Sequence, residues 1–116
     1  MAACFLVMRD ERIRALLRAQ LREAGIEALG LESCDDLAEM IGGGTAPSVI
    51  VIDGAELADA ASREALANVA RRVPVLVIDS PIAPATEIPG AERISRPVRI
   101  GEIVARVTAL LARHAA

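Results

Sequence analysis

The chain has 116 residues, of which 53% are apolar and 1% aromatic, and its formal net charge at pH 7 is −3. This length predicts a single domain, residues 1–116, that buries an aliphatic core without disulfides or metals. All cations are arginine, and the acidic balance leaves no basic footprint for binding nucleic acid. The longest uncharged stretch contains three glycines and a proline, which argues against a membrane span.

The two cysteines and the amino-terminal residues indicate in which cellular compartment the protein is expected. Cys4 and Cys34 have neither metal-binding nor redox spacing. The first residues pass directly into an apolar run and lack the basic segment and cleavage site of a signal peptide. We therefore expect a cytoplasmic protein with reduced thiols.

The first half of the chain alternates between apolar runs and amphipathic segments. Residues 4–8 form a short apolar run that predicts a strand. From Asp10 the apolar residues recur at helical spacing until Gly25, which is placed to end a helix. Residues 26–31 predict a short edge strand. Residues 33–36 offer N-cap candidates for a second helix, which the glycines at 42–44 end.

The most informative run is Val49–Asp53, four β-branched residues followed by a carboxylate. A run this short and apolar is typical of a strand buried on both faces of a parallel sheet. Ligands of open α/β sheets bind at the carboxyl ends of the strands. Asp53 is therefore the first candidate functional residue.

The second half predicts an alanine-rich helix over 55–72, a buried strand over 74–78, a short strand over 93–95 and an amphipathic helix over 100–113. Pro81, Pro84 and Pro89 lie between the last two strands, so the crossover helix there should be shortened or missing. The alternation predicts an α/β fold, a flavodoxin-like doubly wound parallel sheet of five strands in the order 2-1-3-4-5.

Four landmarks give the chain a resemblance to response-regulator receiver domains, the phospho-acceptor modules of two-component signalling. They are the helix opening R-I-R-A-L-L after strand 1, the strand ending in Asp53, the strand P-V-L-V-I, and Arg96-Pro97 before the last helix. The resemblance implies that Asp53 occupies the phospho-acceptor position. In the family, two acidic residues after strand 1 hold Mg²⁺. Here those places fall on Met8 and Arg9, and only Asp10 beyond them is acidic.

Other family positions are also altered. Asp79 stands where the family has a threonine or serine after strand 4, and Arg96 replaces the lysine before Pro97. Ile94 falls on the position of the aromatic switch residue in strand 5. A thioether and a guanidinium offer Mg²⁺ no oxygen ligand, and the carboxylate of Asp79 would repel a phosphoryl group.

We therefore predict no cofactor, with Mg²⁺ held by Asp10 and Asp53 only if the acceptor site still functions. Our hypothesis is that the ion pairs Arg9–Asp53 and Asp79–Arg96 replace the metal and the phosphate and lock the domain in one state. A simpler interpretation is also open, in which Asp53 is a turn residue and Asp10 caps a helix.

Three functions fit these residues, and none is an enzyme. The first is an atypical pseudo-receiver that is not phosphorylated and binds other signalling proteins, or a second copy of itself, through the last strand and helix. The second is a receiver still phosphorylated on Asp53, with Asp10 and Asp79 recruiting Mg²⁺. The third is a flavodoxin-like module outside phosphorelay signalling that binds a ligand or has a structural role.

Overall fold

The computed structural model describes residues 3–80 and 88–114. Its sheet has five parallel strands in the order β2-β1-β3-β4-β5, which confirms the predicted fold. In chain order the elements are β1 (Cys4–Val7), α1 (Glu11–Glu23), β2 (Ala28–Leu31), α2 (Cys34–Gly42), β3 (Val49–Asp53), a 3₁₀ turn (Gly54–Leu57), α3 (Ala60–Ala70), β4 (Val75–Asp79), β5 (Glu92–Ser95) and α4 (Ile100–His114).

The strand register brings the carboxyl ends of the central strands together. Val7 of β1 pairs with Ile52 of β3, and Asp53 pairs with Ile78 of β4. Asp79 at the end of β4 lies opposite Ser95 of β5. The residues that follow these strands therefore share one edge of the sheet, which we call the carboxyl edge.

The sheet separates two apolar clusters, each covered by two helices. One cluster holds the buried residues of α1 and α4, and the other holds those of α2 and α3. Alternate residues of a strand point to opposite faces, so β3 contributes Val51 to the first cluster and Ile52 to the second. Phe5, the single aromatic residue, is fully buried in the second. The predicted aliphatic core is confirmed.

Capping side chains and a glycine determine where the first two helices begin and end. Asp10 caps α1, since its carboxylate accepts hydrogen bonds from the backbone N–H groups of Arg12 and Ile13 at 3.0 and 3.2 Å. Gly25 adopts a positive φ of 81° just beyond that helix, a conformation that glycine takes without steric cost. Ser33 caps α2 in the same way as Asp10. The predicted capping role of Asp10 is thus confirmed.

The helix predicted over 55–72 is interrupted. The Asp53 carboxylate accepts a hydrogen bond from the N–H of Ala55 at 3.0 Å, and the chain turns through one 3₁₀ segment. Asp59 then caps a new helix by accepting from the N–H of Ser62 at 2.7 Å. Two local side-chain acceptors therefore break what composition alone predicts as one helix.

The crossover between β4 and β5 is only partly described. Four α-helices are present in the described residues, and the fourth follows β5. Residues 88–91 form a turn that leads into β5; the rest of the predicted short crossover, residues 81–87, lies outside the described residues. None of the helices in the described ranges is long and apolar enough to span a membrane.

Candidate functional site

Asp53 is held at the carboxyl edge by Arg96, which follows β5. The guanidinium of Arg96 donates from Nη1 to Oδ1 at 3.3 Å and from Nη2 to Oδ2 at 3.1 Å. The Asp53 side chain keeps 17% of its surface exposed. Together with the bond from Ala55, this arrangement engages both carboxylate oxygens with donors of the chain itself.

Asp79 is held by a different arginine, Arg93 of β5. It is 2% exposed, the one charged residue that the described part of the chain buries. Arg93 donates to its Oδ2 from Nε at 2.7 Å and also from Nη2. Arg93 pairs with Val77 in the sheet, so its side chain lies on the same face as that of Asp79, two residues further along β4.

Arg9 pairs with Glu56 rather than with Asp53. Its guanidinium lies 3.6 Å from the carboxylate of Glu56 in the 3₁₀ turn, and its side chain is 77% exposed. The Glu56 side chain is only 8% exposed. Burial raises the pKa of Glu56, an effect that Arg9 opposes and the nearby Asp53 charge reinforces.

The predicted ion pairs are therefore wrong in their partners. Arg9 meets Glu56 instead of Asp53, and Asp79 meets Arg93 instead of Arg96. The cation beside Asp53 comes from the end of β5, which lies two strands away in the sheet. Arg96 lies at the end of β4, where its backbone N–H donates to the carbonyl oxygen of Asp79 at 2.9 Å.

The residues at the family's metal position do not fit Mg²⁺. Met8 is buried, and its backbone carbonyl accepts a hydrogen bond from the guanidinium of Arg14 at 2.7 Å. Asp10 is used as a helix cap, and the oxygens of Asp53 face a guanidinium. No group of three or more His, Cys, Asp or Glu residues in positions 3–80 and 88–114 is arranged to hold a metal ion.

An open cleft of about 580 Å³ lies beside Asp53. Its charged lining residues are Arg9, Asp10, Asp35, Asp53, Glu56 and Asp59. Most of these carboxylates already cap a helix or pair with an arginine. The cleft gives solvent access to Asp53, but four of its five acidic side chains are engaged in helix caps or ion pairs.

Two side chains of this edge, Glu56 and Arg93, were not among the predicted site residues. Ile94, the predicted switch position, packs against the α1–α4 cluster, so the side chain of β5 that meets Asp79 belongs to its neighbour, Arg93. Alternation along β5 separates the two faces and carries the signal that identifies Arg93. Pro97 follows Arg96 through a cis peptide bond.

Comparison with known proteins identifies the fold. No protein-family model and no curated protein sequence matches the chain. Among solved structures, it is similar to the receiver domain of the Francisella response regulator 1452, with a TM-score of 0.74, 17% identity and coverage of 95% of this chain and 96% of that one. It is also similar to a putative response regulator from Chloroflexus aurantiacus J-10-fl, with a TM-score of 0.73 and 21% identity. That match covers 97% of this chain and 99% of the other.

A response regulator receiver protein from Sinorhizobium medicae WSM419 gives a TM-score of 0.75 at 19% identity, covering 96% of this chain and 95% of that one. A lysine decarboxylase from Francisella novicida gives 0.77 at 13% identity, but the chain covers only 17% of that protein. At these identities the likeness concerns the fold alone. The chain therefore has the fold of response-regulator receiver domains.

Proposed function

We propose that this chain is a pseudo-receiver, a non-enzymatic signalling module that works without Mg²⁺-dependent phosphorylation and acts by binding other proteins. The observation that carries the proposal is the pairing of Asp53 with Arg96 through both carboxylate oxygens. The carboxylate at the acceptor position is thereby neutralised by the chain itself, with no need for a metal.

The electrostatics of the carboxyl edge support this proposal. Transfer of a phosphoryl group needs a cation that neutralises the charge developing on its oxygens, usually Mg²⁺. The place of the metal ligands is taken here by a buried methionine and an exposed arginine. Asp79 also lies at the end of the strand next to Asp53, and its carboxylate, paired with Arg93, offers a phosphoryl oxygen no hydrogen-bond donor.

Both arginines that hold these carboxylates belong to β5 or follow it directly, which points to the surface of β5 and α4 as the binding face. Arg93 and Arg96 fasten the carboxyl end of the strand, while Glu92 pairs with Arg106 and Arg113 of α4. The ion pairs between Glu92 and α4 hold β5 and α4 together as one continuous surface. Its proposed partners are other signalling proteins or a second copy of this chain.

The proposal is tested by a two-dimensional NMR titration of the chain with Mg²⁺ and beryllofluoride, a mimic of the phosphoryl group. We expect the amides around Asp53 and along α4 to stay unmoved at millimolar Mg²⁺. A receiver domain that retains both acidic residues after strand 1 is the positive control. Saturable shifts around Asp53 that disappear in the Asp53→Asn variant would overturn the proposal.

A receiver that is still phosphorylated is the second candidate, because Asp53 remains partly exposed and lines the open cleft. Arg96 beside it is a cation that could contact a phosphoryl oxygen. Incubation with acetyl phosphate followed by intact mass measurement separates the two candidates. A phosphorylated species that is absent from Asp53→Asn would favour this second function over the first.

A further inference from the structure

A second cavity lies at the opposite edge of the sheet, where β4 and β5 begin. Its volume is about 270 Å³, and it is bounded by the carboxyl ends of α3 and α4 and by the turn before β5. Gly90 in that turn has a φ of 84°, and a Cβ there would lie 3.6 Å from the carbonyl oxygen of Ala70. The turn therefore packs closely against the end of α3 and forms one wall.

The charged lining of this cavity is mainly cationic. Arg71 and Arg72 reach it from the end of α3, Arg113 and His114 from the end of α4, and Glu92 is its single carboxylate. The chain as a whole is acidic, with a formal net charge of −3. The cavity lining therefore carries an excess of positive charge, although the net charge of the molecule is negative.

The arginines of the cavity differ in whether their guanidinium groups have an ion-pair partner. Arg113 donates to Glu92, which also pairs with Arg106 at 3.4 Å. Arg71 and Arg72 are exposed and form no ion pair with any described residue. One guanidinium is thus held in place by the fold, while two beside it retain donors for a ligand.

We propose that this cavity, the basic pocket, binds a small molecule through a phosphate or carboxylate group. Guanidinium groups present planar pairs of N–H donors that match these oxyanions, and the charge strengthens each bond. Glu92 acts as a positioning residue that keeps Arg113 at the wall of the pocket. The proposal is independent of whether Asp53 is phosphorylated, because the basic pocket lies at the other edge of the sheet.

A different explanation assigns these arginines only to the helix ends. Cations near a helix carboxyl terminus stabilise it by interacting with the exposed carbonyl groups, and both α3 and α4 end at this cavity. That explanation predicts that removing Arg71 and Arg72 lowers stability without any effect on a bound anion. The two explanations therefore differ in ligand binding.

The experiment is an NMR titration of the chain with inorganic phosphate at low ionic strength, with citrate as a second arm and sodium chloride of matched ionic strength as the blank. The test variant is Arg71→Ser/Arg72→Ser. The matched control is Arg18→Ser/Arg22→Ser, which removes two exposed arginines of α1 that form no ion pair with described residues. Circular dichroism verifies that both variants fold.

We expect saturable shifts at residues 71–75 and 90–92, with affinity about tenfold or more weaker in the test variant and unchanged in the control. A response to phosphate alone or to citrate alone decides which oxyanion is bound. Shifts no larger than those caused by chloride would overturn the proposal. Shifts that persist in the test variant, or that weaken equally in the control, would overturn it as well.

Discussion

At the scale of single residues, Asp53 is defined by the three donors around its carboxylate. Arg96 contributes two of them and the Ala55 N–H the third. The net worth of such a partly buried pair is small, because desolvation offsets much of the Coulomb attraction. Removing one partner is more costly than removing both, because it leaves the other charge without compensation.

We predict that Arg96→Ala lowers the free energy of unfolding by about 1–3 kcal/mol, since the Asp53 carboxylate loses both charge-assisted hydrogen bonds. Urea denaturation measures the change. Arg106→Ala is the control, because its ion pair with Glu92 is exposed and should contribute less than about 1 kcal/mol. An Arg96→Ala cost no larger than that of Arg106→Ala would contradict the assigned role of Arg96.

The ion-pair partners of the arginines could not be predicted from the sequence. Strand order correctly placed Arg9, Asp53, Asp79 and Arg96 at one edge, because the carboxyl ends of parallel strands coincide. The direction of an arginine side chain is set by several rotatable bonds and by its local competitors. Arg9 finds Glu56 in a turn that the sequence presented as helix, so its partner could not be predicted from spacing.

At the scale of elements, α1 buries one side and exposes the other. Leu17 is fully buried against the sheet, whereas its neighbour Leu16 is 52% exposed. Both leucines are among the apolar residues that recur at helical spacing between Asp10 and Gly25, although adjacent residues of a helix point about 100° apart. Only the packed structure distinguishes them.

Leu17→Ala should lower the free energy of unfolding by about 2–5 kcal/mol, because it leaves a cavity in a packed core. Leu16→Ala, the matched control on the same turn, should change it by no more than about 0.5 kcal/mol. Thermal or urea unfolding followed by circular dichroism compares the two. Equal losses would mean that α1 docks on the sheet by a different face.

The contact between β5 and α4 depends on pH through Glu92. The hydrogen bond from Arg113, with the charges of Arg113 and Arg106, lowers the pKa of Glu92 below its ordinary value of 4.5. A carboxyl whose folded pKa lies below its unfolded pKa stabilises the fold above the unfolded value. That stabilisation is lost as the pH falls through the folded pKa.

We therefore expect Glu92→Gln to lower stability by less than about 1 kcal/mol near neutral pH, and the difference from the unaltered chain to shrink toward about pH 3. Urea midpoints at the two pH values measure it. Glu64→Gln removes an exposed carboxylate outside the ion pairs of the described residues and is the control. A cost for Glu92→Gln that grows in acid would contradict the sign.

At the scale of the whole molecule, the fold was predictable because the same sequence pattern, an apolar run followed by a helical segment, recurs along the chain. Short β-branched runs, such as Val49–Ile52, alternate with helical spacing, and that alternation determines a parallel sheet with helices on both faces. The break before Asp59 was not predictable from composition, since it depends on two carboxylates competing with the helix for backbone N–H groups. The spacing of apolar residues predicts a sheet with helices on both faces, whereas single side-chain hydrogen bonds determine the residue at which each helix begins or ends.

The composition of β5 also bears on how the molecule behaves at high concentration. β5 ends the described sheet on one side, and such a strand offers unpaired backbone groups to any other extended chain. This strand is four residues long, and Glu92, Arg93 and Ser95 leave Ile94 as its only apolar side chain. A short, charged border recruits further strands poorly. Arg93, which holds Asp79 at the carboxyl edge, thereby also helps to protect the sheet against growing into an aggregate.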